Sequence, residues 1–280
     1  MSLAQLHRLR QSNLALAVYA PAALLSFGQG VLLTTLPLYA TSFGVSYGLV
    51  SLAVAAAALG KLASDVPAGV LLARLGLRNA MVFGTGLVAV CMAGMALAEN
   101  FALLVIFGVL SGIGTALWSI SRHSFIATAV PIETRGRAIS VFGGINRIGL
   151  FAGPAAGGFL ATAFGLRSSF GLASVFAVVA LILALRYVDA GAGGIAGGGH
   201  PRWRLLGEVV RTHARELAAP GIAQVFGQMI RQGRQFIIPI YAAEVLHLDP
   251  AKIGLVMTLG AILDMSMFIP AGFVMDRFGR

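Results

Sequence analysis

Pro67-Ala68-Gly69-Val70-Leu71-Leu72-Ala73-Arg74-Leu75-Gly76-Leu77-Arg78 returns, almost word for word, at the far end of the chain as Pro270-Ala271-Gly272-Phe273-Val274-Met275-Asp276-Arg277-Phe278-Gly279-Arg280. In both copies a long apolar segment runs into Pro-Ala-Gly, continues for one turn, and stops at an Arg followed by Gly and a second Arg. An apolar run closed by cations that stay in water reads as a membrane span ending in a tight turn. The echo reaches upstream: Pro37-Leu38-Tyr39-Ala40 is matched by Pro239-Ile240-Tyr241-Ala242, and Gly48-Leu49-Val50 by Gly254-Leu255-Val256. Two helix pairs are therefore built on one template. A repeat spacing of about two hundred residues is too long for a solenoid and fits a membrane fold made of two related halves.

Composition supports a bilayer as the solvent. Of the 280 residues, 58% are hydrophobic and 11% charged, and the mean hydropathy is +0.88, more apolar surface than a soluble core of this size could hide. The 20 Lys and Arg against 10 Asp and Glu are read as topology, because no basic, aromatic-interleaved soluble domain accompanies them to hold nucleic acid. The single cysteine, Cys91, sits in an apolar run and is read as a packing residue. The first apolar run, residues 14–38, exceeds the hydrophobic region of a cleaved signal peptide and is read as the first span.

A span needs ~20 apolar residues, and eight stretches qualify: 14–38, 47–72, 80–98, 101–125, 138–164, 169–188, 219–243 and 251–275. The connections alternate in charge. Arg8, Arg10, Arg74, Arg78, Arg135, Arg137, Arg186, Arg202, Arg204, Arg211, Arg215, Arg277 and Arg280 fall on one side, against only Arg167 and Lys252 on the other. The positive-inside rule then puts the N-terminus and the basic loops in the cytoplasm of a multi-pass inner or plasma membrane protein. The longest connection begins with the glycine-rich run from Gly191 to Gly199 and turns basic from Trp203. No Gly-Lys-Ser or Gly-Lys-Thr follows it, so it is read as a linker rather than a phosphate cradle. This divides the chain into an N-terminal six-helix bundle (1–188), a cytoplasmic linker (189–218) and the first two helices of a C-terminal bundle (219–280).

These motifs resemble those of the major facilitator superfamily. Gly69, Leu71, Arg74, Gly76 and Arg78 approximate its Gly-x-Leu-x-Asp-Arg-x-Gly-Arg loop signature, with Ala73 in place of the acid; the second copy keeps it as Asp276, beside Arg277, Gly279 and Arg280. Gly76 and Gly279 permit the turn, while the arginines can bond carbonyls at a neighbouring helix end. Either a cytoplasmic latch or a topogenic signal would explain them. In span five, Gly149, Gly153, Pro154, Gly157 and Gly158 resemble the family's antiporter signature, although Ser140 stands where its upstream glycine would fall. Small residues four apart let a second helix approach closely, and Pro154 kinks the span. In span four, Gly108 stands where the family often carries an Arg. The resemblance implies an all-α, monomeric carrier of a small solute, working by alternating access and coupled to protons as an antiporter. A symporter or uniporter of the same superfamily remains the alternative, and a non-transporting receptor or scaffold a further one. Because that family has six spans in each half, the resemblance also implies four further spans beyond Arg280.

Charge inside the spans marks the candidate cavity. Lys61 and Asp65 lie one turn apart in span two; Arg122 sits in span four beside His123, and Arg147 in span five. Gln224, Gln228, Arg231 and Gln235 recur at helical spacing down span seven, with Arg234 beside them, and Asp264 falls in the middle of span eight. Each costs ~2.5–3.5 kcal/mol to bury in hydrocarbon, so these groups should pair or line a wet cavity. Lys61 and Asp65 either neutralise each other or face the cavity; Arg122 either reaches the cytoplasm or lines the cavity; Arg147 faces it. The antiparallel course of spans seven and eight puts Asp264 within reach of Arg231 or Arg234. No span holds a Ser/His pair, paired carboxylates or metal-ligand spacing, so an enzyme is excluded, and neither cofactor nor metal is expected.

Overall fold

The computed structural model describes residues 14–188 and 211–267. Its principal helices among these residues are α1 (Ala15–Thr41), α2 (Tyr47–Leu75), α3 (Leu77–Ala96), α4 (Phe101–Ala129), α5 (Ile132–Phe164), α6 (Leu166–Tyr187), α7 (Ala214–Glu244) and α8 (Pro250–Ser266). The fold class is all-α, and no strand occurs among the described residues. The first turn of α1, Ala15–Tyr19, is π-helical. The glycine-rich run, the basic stretch around Trp203 and the whole second copy of the signature, including Asp276, Arg277, Gly279 and Arg280, lie outside the described residues.

Five helices, α1, α2, α3, α4 and α6, are long and apolar enough to cross a bilayer unaided. The other three depart for separate reasons. The apolar part of α5 is diluted by Arg147, Pro154 and its glycines, α7 carries a row of glutamines and arginines, and α8 is described over only 17 residues. Helices also outrun their apolar cores: α5 begins at Ile132 rather than 138, and α7 at Ala214 rather than 219. The apolar run measures the part of a helix that needs hydrocarbon, whereas polar residues of good helix propensity carry it on into water.

Two connections are a single residue long. Gly76 joins α2 to α3 with φ 77°, and Gly165 joins α5 to α6 with φ 85°. A side chain at either position would be strained, so glycine alone allows the chain to reverse there without a loop. Arginines then satisfy the carbonyls left over at helix C-termini. Arg78 donates to Leu185 O of α6 at 2.9 Å, Arg135 to Ala127 O of α4 at 2.5 Å, and Arg167, at the opposite end of the molecule, to Ala98 O beyond α3 at 3.2 Å.

The first six helices pack in series, α2 on α4, α4 on α3, α3 on α6, α6 on α1 and α1 on α5. Small residues set these distances. A Cβ at Gly60 would strike the Val109 carbonyl, and one at Gly114 would stand 2.7 Å from the Gly84 carbonyl, so α2–α4 and α3–α4 approach backbone to backbone. Phe170, Met81, Leu104, Leu117 and Ile126 are fully buried between them, while Leu62, Phe83 and Val90 point outward. The last helix, α8, leans chiefly on α5 and only lightly on its sequence neighbour α7. Leu38 and Ala242, one from each copy of the upstream repeat, meet Ile253 in one small cluster.

Candidate functional site

The site is built on α5, whose small residues serve two neighbours. Gly149, Gly153 and Gly157 face α1: a Cβ at Gly153 would sit 2.5 Å from the Gly30 Cα, and Cβ atoms at Gly149 and Gly157 would strike the Ser26 hydroxyl and the Val31 carbonyl. Pro154 and Gly158 turn toward α8, where a Cβ at Gly158 would strike the Pro250 carbonyl and one at Gly254 the Pro154 carbonyl. The helix therefore fits α1 on one side and α8 on the other with hardly a side chain between the backbones.

Hydroxyls fill the polar needs of this contact. Thr258 of α8 accepts the Ala155 N–H at 3.1 Å and donates to Phe151 O at 3.0 Å. Ala155 N–H and Phe151 C=O are the two groups that one rung of the α5 ladder would join. The bridge falls beside Pro154, whose missing N–H leaves the Leu150 C=O without its helical donor. Thr162 accepts the Ala251 N–H at the start of α8 at 3.0 Å, and Thr34 of α1 reaches Pro154 O at 3.4 Å and Met257 Sδ at 3.6 Å. At the end of the molecule that holds Asn100 and Arg167, the Tyr47 hydroxyl of α2 hydrogen-bonds the Glu244 carboxylate of α7.

The charged residues distribute differently. Lys61 and Asp65 close on each other within α2, at 2.8 and 2.9 Å, each about 40% exposed. Arg122 is only 8% exposed and does not reach out past the end of α4. Its guanidinium lies 3.8 Å above the ring of Phe142 on α5, with long contacts to Ser119 Oγ and His123 Nδ1 at 3.5 and 3.4 Å. Its Nε has no partner. Arg147 is exposed on α5. Arg234 meets Asp264 across the α7–α8 hairpin at 2.5 Å, with side chains 48% and 50% exposed, while Arg231 and Gln228 are exposed on α7 and Gln235 is half-buried. Gln224, on the same helix, is also exposed.

The sequence reading did not single out Thr34, Phe142, Thr162, Thr258, Tyr47 or Glu244. A signal existed for two of them: Gly158 and Thr162 on α5, and Gly254 and Thr258 on α8, repeat a small residue and a hydroxyl four apart, which is one row along a helix. Nothing comparable marks Phe142, whose partner is twenty residues away on another helix.

Comparison with known proteins places these features in context. The model of the Major Facilitator Superfamily matches residues 21–280. An uncharacterized MFS-type transporter of Mycobacterium tuberculosis, Rv1250, is 29% identical over 117 residues, which is 42% of this chain and 20% of that protein. The quinolone resistance protein NorA of Staphylococcus aureus is 26% identical over 162 residues, 58% of this chain and 42% of NorA. The matched stretches thus span less than half of either relative. Among solved structures, a bacterial homologue of the human lysosomal transporter Spinster, in an inward-facing and unoccupied conformation, superposes with TM-score 0.76 at 18% identity, covering 96% of this chain and 63% of that one. A D-xylose–proton symporter does so with TM-score 0.62 at 19% identity, covering 92% and 68%.

Proposed function

The chain belongs to the major facilitator superfamily, a family of multi-pass membrane transporters rather than enzymes, and from that membership we propose that its gene product is a secondary carrier that moves a small solute by alternating access. The observation that carries this reading is the meeting of the two helix groups toward the end that holds Asn100 and Arg167. Hydrogen bonds join α1–α6 to α7–α8 between Tyr47 and Glu244, Ala251 and Thr162, Thr258 and the Phe151–Ala155 rung, and Thr34 and Met257. Toward the arginine-rich end, Gln228, Arg231 and the Arg234–Asp264 pair stand open on α7 and α8. Closure at one end with polar groups open at the other is one of the two states that rocking requires.

With the N-terminus and arginine-rich loops in the cytoplasm, this state is inward-facing, like the Spinster homologue it superposes on. Residues 1–188 and 219–280 act as the rocking units and 189–218 as their tether. Proton-coupled antiport is supported by the glycines around Pro154 and by the similarity to a quinolone resistance protein; the substrate class proposed is accordingly a small organic drug or metabolite. The test is a quinolone added to energised inside-out vesicles carrying the complete gene product. Collapse of the proton gradient that depends on the protein supports antiport. Uptake without proton movement, or none for any of a panel of drugs, sugars and peptides, counts against it.

A further inference from the structure

A groove of about 720 Å³ opens on the outer wall of the first six helices, at the junction of α2, α3 and α4. Its size falls in the ~300–1,000 Å³ range of small-ligand sites. Val66, Pro67, Val70 and Leu71 of α2, Phe83 of α3 and Leu117 of α4 form its walls, and Arg74 is the one charged side chain that lines it. Along α2 it runs from Ala63 to Arg74, about 16 Å at 1.5 Å per residue. That is about half of the ~30 Å hydrocarbon thickness, the depth of one leaflet.

The charge at its mouth is uncompensated. Arg74 makes no ion pair or hydrogen bond among the described residues. The residue before it is Ala73, where the second copy of the same motif carries Asp276. It lies in the last turn of α2, one residue short of the end at Leu75, so it stands where the helix leaves the hydrocarbon. Gly69, which offers open space on α2, does not line the groove.

We infer that the groove seats one acyl chain of an anionic phospholipid, with the headgroup phosphate on Arg74. A one-leaflet apolar slot that ends at an unpaired guanidinium matches a chain capped by an anion, and a guanidinium is the side chain best shaped to hold phosphate oxygens. This goes beyond the transport reading and does not depend on it.

Trp118 provides the test, because it follows Leu117 of the groove wall and the chain has only one other tryptophan, Trp203. In a Trp203→Phe background reconstituted into bilayers, phosphatidylglycerol brominated on its acyl chain should quench Trp118 with about fivefold higher affinity than phosphatidylcholine brominated at the same carbons, the ~1 kcal/mol that one cation contributes near an anionic headgroup. Arg74→Gln should abolish that preference and Arg74→Lys retain it. Ala63→Phe, which fills the exposed upper part of the groove, should weaken quenching by both lipids. Equal quenching by the two lipids in the parent protein, a preference that survives Arg74→Gln, or quenching that ignores Ala63→Phe would overturn the inference.

Discussion

Thr258→Val is the sharpest probe of the α5–α8 contact, because it removes a hydroxyl while keeping the shape. The hydroxyl makes two bonds to one rung of α5, accepting from Ala155 N–H at 3.1 Å and donating to Phe151 O at 3.0 Å. Interhelical hydrogen bonds in membranes contribute ~0.6 kcal/mol on average and ~1.7 at most, so two of them give ~1–2 kcal/mol. Pro154, one residue before Ala155, has no N–H to give Leu150 C=O, so the hydroxyl's two bonds lie beside a rung that α5 cannot make. Amide exchange of the purified protein in micelles reads the result. A loss of ~1.4 kcal/mol corresponds to about tenfold faster exchange at Ala155, confined to the turn around Pro154. Thr258→Ser should exchange like the parent. Exchange at Ala155 that changes less than about twofold in Thr258→Val, or that rises equally in Thr258→Ser, would refute the assignment of the hydroxyl to the rung.

Gly153→Ala and Gly158→Ala should separate the two faces of α5: the first forces α1 away at an overpacking cost of ~1–3 kcal/mol, read as a lower thermal midpoint, while the second displaces α8 and leaves exchange protection within α1–α6 intact. Identical exchange maps for the two variants would contradict that division. Asp264→Asn should strand Arg234 and reduce folded yield of the complete gene product, and Arg234→Gln added to it should restore yield, as expected when one partner of a bridge is removed and then the other; equal yields for all three proteins would show that the pair holds nothing. Cysteines at Arg78 and Arg204 should react with impermeant thiol reagents only from the cytoplasm and cysteines at Asn100, Arg167 and Glu244 only from outside, with reversed labelling overturning the proposed orientation. Buried Cys91 leaves little background for that assay.

What the chain discloses and what it hides follow from where the information sits. The helices were legible because an apolar run of span length has few other uses, and the Gly76 turn because glycine followed by arginine ends a span. Helix ends were not legible, since Glu133, Arg135 and Arg137 read as a loop yet continue α5 for two turns below its apolar core. The docking of α8 on α5 was hidden too: sequence adjacency argues for α7, and only the matched Gly-x-x-x-Thr rows, about a hundred residues apart, hint otherwise. Two arginines on α7 were within reach of Asp264, and the structure gives the bond to Arg234. Arg122 lay beyond pattern reading, because its burial depends on Phe142, which covers it from another helix.

If the proposed rocking operates, the same physics explains why α5 suits it. Side chains interdigitated as knobs in holes resist sliding, since each must leave its socket before it can enter another. Between α5 and α8 there are no such knobs at Gly158 and Gly254, only backbone against backbone. That surface opposes small displacements weakly, and register is set instead by the directional bonds of Thr162 and Thr258. On the neighbouring stripe of α5 the contact with α1 is equally close, but it is flanked by the buried core of the first six helices, including Tyr39, Phe170 and Ala173, which ties α1 to its own group. Under the proposed mechanism the bearing therefore lies between α5 and α8 and the strut between α5 and α1. One helix serves both because Gly149, Gly153 and Gly157 on one stripe and Pro154 and Gly158 on the next face different neighbours.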